Sequence, residues 1–285
     1  MNKITAMVFV PFLLLSCSEW KEKKTTGKVA EKIFYAGFYD QDNACAVGYA
    51  GTINYTSNGG EKWKTGTNNS MCMFGLEMID TKTYIAYGNG ANVIISRDGG
   101  STWQHVTDFG GQQPNQCRYG SFASADTGWI ANAYTIGETA DFGNTWKGIP
   151  YDKGLGAIRS VCCTSRGRGY VFTVNGDLLK TENSGKDWIK VTQIIDPKTT
   201  PIWTELSKSK QTAQIRFNGD NGIFAFVNEA EKGNTLSIYE SKDGGFTWKQ
   251  EAAIPNKLST VYISPDMNNI STFNYDCTVT LYSRS

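Results

Sequence analysis

The chain has 285 residues, 30 of them Gly, with 13% aromatic and 19% charged side chains and a formal net charge of +1. This composition fits a large, turn-rich all-β domain and leaves no long basic run of the kind a nucleic-acid partner requires. A single histidine, His105, argues against His-rich metal sites and a Ser-His-Asp triad, and no metal or cofactor is expected.

In chain order, Lys3 precedes a mostly apolar run from Ile4 to Leu15, too short to cross a bilayer as a helix, which reads as a targeting segment. It ends in Leu14-Leu15-Ser16-Cys17, which resembles a bacterial lipobox. The resemblance implies that residues 1–16 are a lipoprotein signal peptide and that Cys17 is acylated as the first mature residue. It implies a lipid-anchored protein of the bacterial cell envelope, on the periplasmic side or the cell surface. An ordinary signal peptide is the other reading. Residues 17–30 are then a flexible tether, or they contain a strand: Glu19-Trp20-Lys21-Glu22 looks like the Trp-Lys steps found later in the chain.

The domain proper, residues 31–285, is organised around an eight-residue repeat. Clear copies are Ser96 to Trp103, Thr139 to Trp146 and Ser241 to Trp248; looser ones are Thr56 to Trp63 and Thr181 to Trp188. Asp or Asn at the third position can accept backbone N–H groups of its own turn. Gly at the fifth suits a positive φ. The Trp is an apolar wedge with its N–H at the edge. Asp98, Asp141 and Asp243, with Trp103, Trp146 and Trp248, are therefore read as structural. Copies start at 56, 96, 139, 181 and 241; a period near 42 predicts one four-stranded blade per repeat. The pattern resembles the Asp-box, or bacterial neuraminidase repeat, family of β-propellers.

Three strands are predicted before each repeat and one after it. Those of the first blade are Ile33 to Tyr39, Ala44 to Gly48 and Thr52 to Thr56. The long last interval is assigned to an insertion between about Val191 and Gln211, with Trp203 inside it, and the fifth inner strand to Thr212 to Phe217. After the fifth repeat come Ser259 to Ser264, Thr272 to Tyr275 and Thr278 to Ser283, and the chain ends. The expected fold is thus a propeller of six four-stranded blades, the last completed by the N-terminal strand, which removes an open edge. Of the cysteines after Cys17, Cys45 and Cys277 could form a ring-closing bridge, and Cys162-Cys163 could alternate across a strand or pair with each other.

A ligand site is expected at the central channel, on the face opposite the repeats. Candidate binding residues there are Tyr49, Tyr87, Arg118, Tyr134, Arg159, Trp203 and Arg216. Three arginines would suit a sialidase. Measured against Phe122, Val161 and Phe217, however, Arg118, Arg159 and Arg216 fall at minus four, minus two and minus one, which splits them across a strand. The N-terminal Arg-Ile-Pro motif of sialidases is also absent. A glycosidase needs two carboxylates across a cleft; Glu77, Glu138 and Glu205 are the candidates. The phrase Cys45-Ala46-Val47-Gly48-Tyr49-Ala50-Gly51-Thr52-Ile53, running into Thr56 to Gly60, resembles the repeat of photosystem II stability/assembly factor-like propellers. That implies a non-catalytic scaffold whose partner is a protein segment or a glycan; the alternative is a sialidase-like hydrolase.

Overall fold

A computed structural model describes residues 20–66, 71–90, 92–106, 116–196, 198, 212–228, 234–256 and 258–284. They form six four-stranded antiparallel blades. Blade one is Ile33–Phe38, Asn43–Gly48, Ile53–Ser57 and Lys64–Thr65; blade two is Met73–Met78, Tyr84–Gly88, Val93–Ser96 and Gln104–Val106. Blade three is Tyr119–Phe122, Gly128–Ala131, Ile136–Thr139 and Lys147–Ile149; blade four is Ile158–Ser165, Arg168–Thr173, Asp177–Thr181 and Ile189–Gln193. Blade five is Ala213–Asn218, Asn221–Asn228, Asn234–Ser241 and Lys249–Asn256. Blade six takes Leu258–Ile263, Asn269–Asn274 and Val279–Arg284 from the end of the chain, and its outer strand, Trp20–Thr25, from the beginning.

That outer strand is a ring closure, not a tether. Trp20 faces Arg284 and Thr25 faces Thr280 in an antiparallel ladder. The Trp20 indole is buried against Ile223, Ile238 and Tyr282, and its Nε1 donates to Glu240 Oε1 at 2.9 Å. Six apolar clusters fill the six interfaces between neighbouring blades, as alternating side chains on strands buried on both faces require. Each large side chain so buried contributes roughly 1.5–3 kcal/mol. Cys162 and Cys163 show the alternation: the first packs toward blade five and the second toward blade three.

The Cys45–Cys277 bridge is not formed. Cys45 faces blade two among Val47, Met73 and Tyr84, whereas Cys277 lies in a turn against the opposite face of blade one, and the six described cysteines are free thiols. The ring is joined by hydrogen bonds instead.

The repeated turn is one hydrogen-bonded unit. In the copy at 96–103, Asp98 accepts from Ser96 Oγ at 2.9 Å, Thr102 N at 2.9 Å and Thr102 Oγ1 at 2.6 Å, while Gly100 N donates back to Ser96 Oγ at 2.9 Å. Asp141 and Asp243 repeat the set. The Trp N–H is not left at the edge: Trp103, Trp146 and Trp248 each donate to the carbonyl of the fifth-position Gly at 2.9 Å. Two consecutive residues, the fourth and fifth, have positive φ, as in Gly99 (72°) and Gly100 (94°). Phe142 (64°) and Ser184 (58°) hold the fourth position without being glycine.

Candidate binding site at the channel mouth

Strand register shows which inner-strand positions are equivalent. Phe38, Met78, Phe122, Cys163 and Phe217 face Ala44, Tyr84, Gly128, Gly169 and Gly222, which in turn face the first residue of each repeat turn, Thr56, Ser96, Thr139, Thr181 and Ser241; Ile263, facing Ile270, is the counterpart in blade six. One residue earlier stand Gly37, Glu77, Ser121, Cys162, Arg216 and Tyr262, all buried. These side chains fill the axis. An inner strand is an edge strand with bare N–H groups toward the channel, which costs free energy unless they find acceptors. Side chains of other blades supply them: Ser121 Oγ accepts from Cys163 N (3.2 Å), Ser160 Oγ from Ile215 N (3.0 Å) and Cys162 Sγ from Phe217 N (3.3 Å), each on the next blade, while Tyr262 Oη of blade six reaches past blade one to accept from Met78 N of blade two (3.3 Å). Gln214 Oε1 accepts from Ile263 N.

Glu77 of blade two and Arg216 of blade five meet in this plug, Nη2 to Oε2 at 2.7 Å, with Gln214 Nε2 donating to Glu77 Oε1 at 3.2 Å. Burial pushes the Glu77 carboxyl above its ordinary value, and the Arg216 charge opposes that. Neither residue reaches solvent, so Glu77 is not a cleft carboxylate and Arg216 is not a ligand-facing arginine. Tyr87 is likewise sealed. Its ring lies over Gly75 and Gly120, where an added Cβ would come within 2.2 and 2.5 Å of it. Glu138 is buried as an acceptor for Trp129 Nε1 (3.0 Å) and Gly167 N (2.5 Å). Glu205, Trp203 and Cys17 lie outside the described residues. Among the described residues no group of three or more His, Cys, Asp or Glu could hold a metal ion.

The open site lies above the plug, at the mouth. Inner strands begin with a bulge, an extra residue on one side of a pair. Phe34, Phe74 and Arg159 are the extra residues in blades one, two and four. Arg118 is their counterpart in blade three: its N–H donates to Ala131 O (2.8 Å), and Ala131 also faces Tyr119. The register therefore pairs Phe122 with Cys163, not Val161, and Arg118 and Arg159 both stand four residues before it. Arg216 stands at minus one. The sequence-based alignment of Val161 with Phe122, which set Arg159 two residues out of step with Arg118, is thus corrected, and Arg216 remains out of step with both.

A cleft of about 390 Å³ opens between blades three and four, lined by Gln116, Arg118, Tyr119, Asn132, Ala133, Tyr134 and Arg159. No carboxylate lines it. Tyr134, 37% exposed, forms one wall, with Lys153 Nζ 6.0 Å from its ring centre. Asn132 Oδ1 accepts from Tyr134 N and Thr135 N, which fixes the turn and directs the amide NH2 to other partners. Arg118 is steadied by Gln116 Oε1 (3.1 Å) and by the Phe74 ring, 5.5 Å away. From there an aromatic band crosses the mouth: Phe74 stacks on Phe34 (5.8 Å), and Phe34 meets Tyr49 edge-on (6.5 Å). Tyr49 is half exposed and outside the cleft. Phe34, Phe74, Gln116 and Asn132 were not singled out in the sequence. Their signal there is weak: a bulge leaves only one odd residue after the first apolar residue of a strand.

The fold defines a six-bladed β-propeller with a plugged axis and a cationic, aromatic mouth. Over residues 16–273 the chain matches the model of the DUF6242 beta propeller domain, and it belongs to that family. No curated protein matches it. Among solved structures it is similar to YCF48 bound to D1 peptide, at 16% identity and a TM-score of 0.55, covering 99% of this chain and 100% of that one. YCF48 from Cyanidioschyzon merolae is 14% identical with a TM-score of 0.54, covering 93% and 98%. The RRP9 WD40 repeats reach 0.61 at 6% identity, covering 93% and 97%. Identities this low speak to the fold alone.

Proposed function

We propose that this propeller is a non-catalytic scaffold of the bacterial cell envelope, anchored through acylated Cys17, which holds a carboxylate-bearing segment of another protein at its channel mouth. The observation that carries the reading is the convergence of Arg118 and Arg159, from equivalent positions of adjacent blades, in one cleft with Tyr134 and Asn132. Two guanidinium forks recognise carboxylates by paired hydrogen bonds. Tyr134 offers a face for an apolar or planar group, and the amides can meet a peptide backbone. Glycoside cleavage requires two carboxylates facing each other across the substrate; Glu77 and Glu138 are both committed to buried contacts. The repeat-turn geometry supports the Asp-box reading, and a similar fold solved with a peptide bound supports a protein segment over a glycan.

The test is panning of a displayed random peptide library, with free C-termini, against the immobilised domain. Peptides rich in Asp, Glu or a terminal carboxylate should be selected, and R118A and R159A should each weaken their binding tenfold or more, with loss of affinity as salt rises. Selected peptides that bind both variants as tightly as the parent would sink the reading. Release of sugar from a bound glycan would favour the hydrolase instead.

A further inference from the structure

The five repeat turns and the start of Trp20–Thr25 lie on the face opposite the mouth. Trp20 faces Arg284 at the end of the third strand of blade six, where the other blades carry their turns, and its indole reaches Glu240, the residue before the fifth turn. The repeat supplies an internal standard for this face. At the fourth position stand Gly59, Gly99, Phe142, Ser184 and Gly244; at the sixth, Glu61, Ser101, Asn144, Lys186 and Phe246; just after the Trp, Lys64, Gln104, Lys147, Ile189 and Lys249. Each position has one large apolar exception. The exceptions fall on consecutive blades: Phe142 on three, Ile189 on four, Phe246 on five. They are 41%, 67% and 66% exposed.

None of the three joins a cluster between blades, although the Arg97 guanidinium lies over the Phe142 ring at 5.3 Å. Phe142 holds a left-handed backbone (φ 64°) that glycine adopts without strain and a bulky side chain does not. Ile189 and Phe246 line one groove of about 340 Å³ with Val191, Lys180, Lys190, Glu182, Asn183 and Asp187; Lys180 pairs with Glu182 (2.6 Å) and Lys190 with Asp177 (2.7 Å), so the charges around the apolar pair are balanced. Exposed apolar residues gathered on one sector mark a contact surface. Blade six, next in order, is where the chain enters. Cys17 is three residues from Trp20, so an acyl chain at Cys17 keeps the bilayer within about 11 Å of that point. The apolar run from Ile4 to Leu15, if retained, would hold it nearly as close.

Resting on the anchored-scaffold reading above, we propose that the repeat-turn face lies on the lipid bilayer, with Phe142, Ile189 and Phe246 seated among the headgroups and upper acyl chains. Blades three to six then form the contact sector, and the mouth with Arg118 and Arg159 points away from the membrane. Side chains of this type at the interface add to a single acyl chain, which alone gives only marginal binding.

The test reconstitutes the full acylated protein into phosphatidylcholine–phosphatidylglycerol vesicles whose acyl chains are brominated near the headgroup. Trp188 and Trp248 stand beside Ile189 and Phe246 and report depth by quenching. The parent should be quenched at least twofold more than an I189E/F246E variant that stays vesicle-bound, and F142G should fall between them. The C17S protein should leave the vesicle fraction. Equal quenching of parent and variant, no quenching of an attached parent, or a chain recovered unacylated would each overturn the proposal, as would a solution dimer that buries these residues. Melting curves establish that the variants are folded. Peptide capture, measured on the same vesicles, separates the two readings: its loss with quenching intact refutes only the mouth site, and the converse refutes only the docking face.

Discussion

Arg216 and Arg159 both lie on inner strands of adjacent blades, yet they have opposite fates. Arg216 stands one residue before Phe217, which faces Gly222; it points into the plug and is matched by Glu77. Arg159 stands four residues before the equivalent Cys163, on a bulge, and opens to a cleft with no carboxylate on its wall. Residue type is the same; register decides whether the guanidinium is buried in the plug or lines the cleft. On an edge strand lining a narrow channel, three residues are the distance between a dry interior and solvent.

The sharpest way to break this contrast is at the plug. E77A or R216A strands a buried charge and should cost roughly 3–5 kcal/mol by urea unfolding. The double change E77L/R216M should recover most of that, since an apolar pair of similar volume removes both desolvation costs. Full loss in the double variant would mean that the pair is needed to shape the ring.

G75A should cost about 1–3 kcal/mol, because its Cβ meets the Tyr87 ring at 2.2 Å and the surrounding strands leave that ring no room to move. A thermal melt within experimental error of the parent would refute the close packing assigned to Tyr87.

A third effect lies in acid. Hydrogen bonds from the Thr247 side chain and backbone, with a smaller one from Ser241, hold the Asp243 carboxyl at about 2, below its ordinary 3.8. Asp98 and Asp141 are also held low: burial raises them, and hydrogen bonds led by Thr102 and Thr145 outweigh it. A depressed carboxyl stabilises the fold above its unfolded value, and this is lost as pH falls through the folded value. Asn at all three positions should therefore flatten the decline in melting temperature between pH 4 and 2. An unchanged slope would show that other carboxylates govern acid unfolding.

The smallest stability effect should come from the mouth. R118A and R159A should each move stability by about 0.5 kcal/mol or less, as half-buried surface groups do, while weakening peptide capture tenfold. A melt lowered as far as in R216A would erase the distinction between plug and mouth.

Much of this was legible in the residues. The five turns, their spacing and the Trp-Lys step at Trp20 carried the blade count and the closure, since hydrogen bonding within each turn depends on residues two to four apart. Phe217 to Gly222 located the inner strand of blade five in the same way. The site was less legible. Tyr87, Arg216 and Glu77 have the side chains of a binding site, but lie where neighbouring blades bury them. Phe34, Phe74 and Asn132 look unremarkable in the chain, yet sit at the rim.

By itself, then, the sequence determined the all-β propeller, its six blades and the role of Asp98, Asp141 and Asp243. Those features follow from local rules: turn chemistry, strand period and repeat length. Only the tertiary structure decided that the axis is filled, that Cys45 and Cys277 lie on opposite faces of a blade, and that Arg118 and Arg159 share a cleft while Arg216 does not. The physical reason is that bulges and ring closure set which inner-strand residues face one another. A single-residue shift in pairing carries a charged group from solvent into the core, and no local pattern records that shift.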